Sequence, residues 1–463
     1  MLFSSSVFLF LFLPIVLILY YLPFLKNRAY RNVLLLLASL FFYAWGEPVF
    51  VVLMMSSILL NWGIGLAMDK SEKKKPYLVA AVIWNLGIMF AFKYLTFTLH
   101  NLDLLLHTNL SDISIALPLG ISFFTFQILS YIFDLYYGNT IVQKKLYKFA
   151  LYVTMFPQLV AGPIVRYEQI AHEIDHRREN LEDFSVGMTR FAYGLGKKVL
   201  ISNAMGSIAD NMFYLSGSGN ISVASAWIGG VAYTLQIYFD FSGYSDMAIG
   251  LGRMLGFHFL ENFNYPYIAK SITDFWKRWH ISLSSWFRDY VYIPLGGSRR
   301  SAKRVLLNTF VVWLLTGIWH GANWTFIVWG LGYFVLLVVE RRLGLTKGIK
   351  FVGHVYTMIA VILLWVVFRA DNLSAAGHYI GQMFGSGGIL WDAEAAGCLS
   401  GSWSMLLVAM VFSTPVVKFV ADKLKLSEDT QKNIAALVAI PLFVISMAKC
   451  MSSAYNPFIY FNF

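Results

Sequence analysis

Apolar runs near the length of a bilayer crossing recur along the whole chain, and nothing else in the sequence restricts its fold as strongly. A helix needs about 20 apolar residues to cross a hydrocarbon core of about 30 Å. Runs of that order lie at roughly 5–25, 33–46, 49–68, 77–97, 115–137, 185–214, 222–240, 351–368, 403–421 and 432–450, with a hairpin over 305–339. In lipid the backbone must pair within its own segment, so such runs become helices. The expected fold is an all-α polytopic membrane protein with roughly eleven or more transmembrane helices plus re-entrant and interfacial helices, one integral domain over 1–463. The composition agrees: of 463 residues 58% are hydrophobic and only 13% charged. The first run has no basic leader or small-residue cleavage site, so a retained helix is expected there.

The net charge of +11 could suggest nucleic acid, but the basic residues sit in short loops between apolar runs, and nucleic-acid binding is excluded. Lys26, Arg28 and Arg31 follow the first run, Lys70 and Lys73 to Lys75 the third, Lys144, Lys145 and Lys148 the fifth. All three loops fall on one side, read as the cytoplasm. Both termini are then extracytoplasmic, in a cell (inner) membrane. Phe149–Arg166 is apolar, contains Pro157, Gly162 and Pro163, and has basic residues on both flanks, so a re-entrant segment is expected. His172-Glu173-Ile174-Asp175-His176 lies beside Arg177 and Arg178 and reads as a solvated face, with no third ligand for a metal. Cys398 and Cys450 form neither a metal site nor a disulfide framework.

Chemistry concentrates between Asp274 and Trp324, where two histidines sit among six tryptophans. As one helix, 275–290 places Trp276, Trp279, Leu283, Trp286 and Tyr290 on one face, with Lys277, Arg278, Ser282, Ser285, Arg288 and Asp289 opposite. His280 projects about 40° from Trp276, inside the aromatic stripe, as either a satisfied buried group or a site group. The run Val305–Trp319 is about 22 Å long as a helix. Either the helices continue through Gly317 and Gly321, or the hairpin turns within the membrane. Both place His320 near membrane depth, where an ionisable side chain reads as functional. Tyr238 to Asp246 puts Asp240, Asp246, Ser242 and Ser245 at the end of an apolar run, as a capped helix break or as polar lining of a cavity entrance. Gly385–Ser402 reads as an external Gly/Ser-rich segment.

No Ser-His-Asp triad, phosphate-binding loop or zinc signature occurs. A neutral imidazole can take the proton of a hydroxyl attacking an acyl thioester. His320 is the expected base and His280 the orienting or oxyanion-stabilising group. Trp276, Lys277, Arg278, Ser284, Arg288 and Asp289 are candidates to line the donor side. Trp319, Asn323, Gln127, Asp240 and Ser242 are further lining candidates. The basic face would attract a phosphate-bearing donor or an acidic acyl carrier protein.

From about residue 30 onward the chain resembles the membrane-bound O-acyltransferase family, in the branch of the alginate O-acetyltransferase membrane component. The resemblance rests on Leu117 to Gln127, Phe156 to Ile164, Tyr238 to Gly252, Asp274 to Gly297, Trp319 to Trp324 and Phe458 to Phe461. It implies core motifs over 115–340 and a helical ring around a thin funnel. His320 would be the family's invariant histidine and His280 the second site position. No bound cofactor or metal is implied; acetyl-CoA or another acyl thioester is the co-substrate. The implied partners are membrane lipid, an extracytoplasmic hydrolase-fold acetyltransferase and a polysaccharide acceptor. Phe458, Tyr460 and Phe463, in the tail 451–463, carry the spacing Phe-x-Tyr-x-x-Phe. In the teichoic-acid D-alanyl transferases a separate small protein supplies that motif. Tyr460 is therefore a candidate acyl relay, against the plainer role of an interfacial anchor. D-alanyl transfer is the rival reaction within the family, and a polysaccharide or lipid exporter the rival of another class.

Overall fold

A computed structural model describes residues 1–22, 27–109, 115–344, 350–452 and 455–459. Among these the regular structure is helical throughout. Five helices are long and apolar enough to cross a membrane: Phe50–Lys70, Lys75–Leu106, Phe351–Arg369, Ala393–Phe412 and Glu428–Ser452. The chain divides into two compact units, one of Met1–Phe191 with Tyr244–Leu260, the other of Ala192–Gly243 with Glu261–Phe463.

In the first unit, Phe149–Arg166 is broken as its prolines and glycine require. Leu146–Thr154 and the short Phe156–Leu159 are followed by irregular backbone up to helix Tyr167–His176. Nearly all of 148–165 is buried, so this non-helical backbone packs against protein. His172 and His176 are exposed on that helix, and the carboxylates between them have other partners. Glu173 accepts from the His258 backbone N–H at 3.0 Å, Asp175 pairs with Lys148, and no metal-binding cluster occurs among the described residues.

Three elements differ from the sequence expectation. The run expected to end at 240 belongs to one helix, Val223–Met254. Its polar residues do not break it, because they find partners across neighbouring helices: Asp240 pairs with Lys198 and Asp246 with Arg190. The span expected at 403–421 runs instead from Ala393 to Phe412 and is separated from Val416–Lys423 by a turn at Ser413–Pro415. Its start lies inside the segment read as an external loop. Asp392 accounts for that: its carboxylate accepts from the Ala395 N–H at 2.8 Å, an N-cap that offsets the weak helix propensity of the glycines and serines that follow.

The third is the 275–290 helix, which is two helices. Ile272–Trp276 starts at Ser271, whose hydroxyl accepts from Asp274 N–H at 2.9 Å. Ile281–Phe287 follows, then a π-turn over Arg288–Tyr292. Between them His280 is left-handed, with φ +44°. The cause is a second strand of backbone alongside. Asn264 N–H donates to Arg278 C=O at 2.9 Å and Ile281 N–H to Asn262 C=O at 3.0 Å. These bonds replace the intrahelical ones that a continuous helix would make there.

The 305–339 hairpin consists of helices Ala302–His320 and Trp324–Leu343. The first does run through Gly317. A Cβ at Gly317 would lie 2.6 Å from Phe326 O, and one at Gly330 would lie 2.5 Å from Trp313 O. These two glycines let the helices touch backbone to backbone, the small-residue contact typical of membrane helices. Asn323 restarts the chain, its side chain accepting from Thr325 N–H at 3.0 Å and donating to Asp371 O at 2.8 Å.

Candidate active site

His320 is the last residue of helix Ala302–His320, one turn beyond the Gly317 contact, and is 4% exposed. Aromatic edges and faces surround its ring. Trp319 lies at 4.9 Å, Trp329 at 4.8 Å and Phe368 at 5.2 Å between centroids, all near perpendicular. Trp276 continues the cluster, 5.7 Å from Trp329 and 4.9 Å from Tyr333. Several polar atoms in this interior are buried without a hydrogen-bond partner among the described residues: Trp276 Nε1, Trp329 Nε1 and the Tyr333 hydroxyl. Buried polar groups are nearly always paired in folded proteins, so these atoms keep bonding capacity for water or a substrate.

His280 is wholly buried in the same unit, packed edge-on against Phe241 at 4.7 Å and 5.9 Å from Trp319. The two imidazoles therefore share Trp319 as a neighbour. His280 Nδ1 lies 3.1 Å from Asn262 Oδ1, and its Nε2 is buried with no partner among the described residues. Burial alone pushes the imidazole down to about 3, so it is neutral at physiological pH.

The C-terminal segment 455–459 is also bound into this unit. Ile459 N–H donates to Asp240 Oδ2 at 2.9 Å. Lys198 donates to Pro457 O, pairs with Asp240 at 2.5 Å and lies 5.9 Å from the Phe458 ring. Tyr455 O–H donates to Asp210, which Arg369 also holds, each at 2.5 Å. Phe458 and Ile459 are buried. A charged pair out of water is costly unless its remaining valences are met; here the backbone of the tail meets them. Tyr460, Phe461 and Phe463 lie outside the described residues.

The structure thus brings Trp276, His280, Trp319 and His320 together. Asp240 is occupied by the tail, and Ser242 Oγ is buried in the same helix without a partner among the described residues. Lys277 and Arg288 are exposed, Arg288 bonding its neighbour Asp289 at 2.6 Å. Arg278 pairs with Asp274 at 2.8 Å, and Ser284 is half-buried. Asn323 is occupied as a helix cap. Gln127 belongs to the first unit, where both polar atoms of its amide are buried without a partner among the described residues. An apolar groove of about 580 Å³ lined by Gly332, Leu336, Tyr356 and Leu364 contains neither histidine.

Asn262, Trp329, Phe368 and Lys198 were not singled out from the sequence. Lys198 carried a readable signal, as an ionisable residue inside the apolar run 185–214. Asn262 carried none, since its part depends on a contact 18 positions along the chain.

The described residues form helices, five of them long and apolar enough to cross a membrane, and comparison with known proteins gives the class. Residues 141–375 match the MBOAT family, the membrane-bound O-acyltransferases. The chain belongs to that family and is an acyltransferase. It is 41% identical to a probable alginate O-acetylase, AlgI, of Pseudomonas putida over the full length of both chains. It is 33% identical to a peptidoglycan O-acetyltransferase of Helicobacter pylori, over 100% of this chain and 98% of that one. A teichoic acid D-alanyltransferase of Bacillus subtilis is 29% identical but matches only 47% of this chain and 58% of its own length.

Proposed function

We propose that this acyltransferase moves an acetyl group from a cytoplasmic thioester, acetyl-CoA or an acylated carrier protein, to a polysaccharide outside the cell membrane. The observation that carries the reading is the pair His280 and His320 against one tryptophan, in a desolvated aromatic interior. Full-length similarity to a probable alginate O-acetylase supports a polysaccharide acceptor over D-alanyl transfer, where the match covers under half of this chain.

In the proposed step the acceptor oxygen bonds to the thioester carbonyl carbon. His320 takes the hydroxyl proton as that bond forms. The carbon–sulfur bond then breaks, and the imidazolium returns the proton to the departing thiolate. Exclusion of water by the surrounding rings protects the thioester from hydrolysis and strengthens each polar contact. The first acceptor is the Tyr460 phenol, one residue beyond the Ile459 N–H that Asp240 holds. The resulting aryl ester passes its acetyl group to an extracytoplasmic partner of hydrolase fold that completes transfer to the sugar. Both termini face outward, as the basic loops require.

The test uses purified protein in proteoliposomes with acetyl-CoA labelled in the acetyl group. The reading predicts an acetyl adduct on the C-terminal peptide, absent in Tyr460→Phe, which keeps the ring and loses the hydroxyl. Polysaccharide acetylation at wild-type level in Tyr460→Phe would reduce the tail to an anchor. Absence of any acetyl transfer or thioester cleavage by the wild type would remove the donor assignment.

A further inference from the structure

The left-handed turn at His280 sets Nδ1 of its buried ring beside Asn262, and that neighbour fixes where the imidazole proton sits. Asn262 Oδ1 receives the Ser282 backbone N–H at 3.2 Å and the Ser282 hydroxyl at 2.9 Å. A backbone N–H can only donate, so the Asn262 atom facing it is the carbonyl oxygen and not the amide nitrogen. The same oxygen lies 3.1 Å from His280 Nδ1. An oxygen that accepts there requires a proton on Nδ1. A neutral imidazole has one ring proton, so Nε2 holds a lone pair. That nitrogen is buried and has no partner among the described residues.

We infer that Asn262 is a positioning residue that locks His280 as its Nδ1–H tautomer, leaving Nε2 as a hydrogen-bond acceptor that orients the bound substrates. This rests on the proposed acyl-transfer reading and sharpens it. Of the two roles open to His280, orienting and oxyanion stabilisation, only the first suits an Nε2 without a proton. An oxyanion needs a donor, and this nitrogen has none to give at neutral pH. The division of labour follows. His280 Nε2 accepts from an N–H or O–H of the bound substrates other than the attacking hydroxyl, whose one proton is left for His320.

The groups packed on the His280 ring are Phe241 from helix Val223–Met254, Trp319 from helix Ala302–His320, Asn262, and the Ser282 hydroxyl at 3.4 Å from Nδ1. His320 shares Trp319 with His280 as a neighbour; Asp240, next to Phe241, is paired with Lys198, and Glu261 adjoins Asn262. The charges on the flanking turn, Arg278 and Asp274, pair with each other. Burial is the one cause that depresses the His280 imidazole. An acidic residue introduced at 262 therefore acts on His280 before any other group.

The direct test is made on the unmodified sequence. Purified protein labelled with ¹⁵N-histidine is compared with His280→Gln, so that the difference spectrum isolates the His280 ring. A protonated Nδ1 with an unprotonated Nε2 is expected at neutral pH; a protonated Nε2 overturns the inference. A second measurement reads function, as acetyl transfer from acetyl-CoA against pH. Asn262→Asp sets a carboxylate against Nδ1–H and raises the imidazole, so Nε2 gains a proton as pH falls. The acid limb of the variant should lie at higher pH than that of the wild type, with activity recovering on the alkaline side. Asn262→Leu should lose about 10²-fold in kcat with KM little changed, as expected when a reacting group is misplaced. A uniform loss in Asn262→Asp, with the acid limb unmoved, would mean that Asn262 serves the fold alone. Should the wild type transfer no acetyl group, the acyl-transfer reading fails, while the tautomer spectrum still decides the role of Asn262.

Discussion

Two buried polar regions of this chain solve the same problem in opposite ways. In the first unit, Glu179 sits among Arg28, Arg31, Arg177 and Tyr20. Its carboxylate is 2.5 Å from Arg28 and 2.8 Å from Arg31, and Tyr20 O–H donates to it at 2.6 Å. Arg177 in turn donates to Tyr20 and Asn32 at 2.9 and 2.7 Å. Each charged group there is ion-paired or hydrogen-bonded, and only Arg31 Nε and one Arg177 Nη are left unpaired among the described residues. Around the histidines of the second unit, Trp276 Nε1, Trp329 Nε1, Tyr333 O–H and His280 Nε2 have none among the described residues. A satisfied network rigidifies the fold; an unsatisfied one holds binding capacity in reserve at a cost in stability. The first is a structural joint and the second is the candidate site.

This contrast predicts that mutations in paired regions lower stability more than turnover, and mutations in the unpaired region do the reverse. The largest stability effect is expected at the Lys198–Asp240 pair, where both partners are nearly inaccessible. Lys198→Met leaves a buried carboxylate alone and should cost about 3–5 kcal/mol, whereas the double variant Lys198→Met with Asp240→Leu should recover much of the loss. Thermal melting in detergent checks both. A double variant no more stable than the single one would show that the tail, and not the charge balance, holds this site together.

A smaller loss is expected at Glu179. Burial raises its carboxyl, but hydrogen bonds from Arg28 and Tyr20 outweigh that and hold it at about 2, below the ordinary 4.5. A depressed carboxyl contributes stability that is fully present above its unfolded value and is lost as pH falls through the folded one. Melting temperature should therefore decline between about pH 4.5 and pH 2. In Glu179→Gln the decline should flatten, with about 2–3 kcal/mol lost at neutral pH and turnover per folded molecule retained. A Glu179→Gln protein that melts normally but fails to turn over would move Glu179 into the site and break the contrast. The smallest stability effect should come from Trp329→Phe. That change deletes an unpaired indole N–H, so the lost packing is partly offset and the net cost should stay within about 2 kcal/mol. Its kcat should fall by more than the stability change explains.

The sequence made the membrane class legible, because apolar length is a direct physical demand of the bilayer. It also made the depth of His320 legible, since the apolar run through Gly317 carries that imidazole to a buried helix end. The turn at His280 was not legible. The Trp276, Trp279, Leu283, Trp286, Tyr290 stripe fits a single helix, and periodicity does not register a break when both flanking pieces bury their tryptophans. What breaks the helix is pairing with Asn262 and Asn264, a long-range contact with no local signature. The start of helix Ala393–Phe412 was hidden for the converse reason. Glycine and serine weighed toward a loop, and one carboxylate cap outweighed them.

The central claim is that His320 performs the acyl-transfer chemistry within an interior that folds without it. The measurement is acetyl transfer from acetyl-CoA by wild type and His320→Ala in proteoliposomes, matched for folded protein by melting temperature and size-exclusion profile. A loss of about 10²–10⁴-fold in turnover with an unchanged melting temperature is predicted for removal of a general base. Turnover above about a tenth of wild type in folded His320→Ala would contradict it.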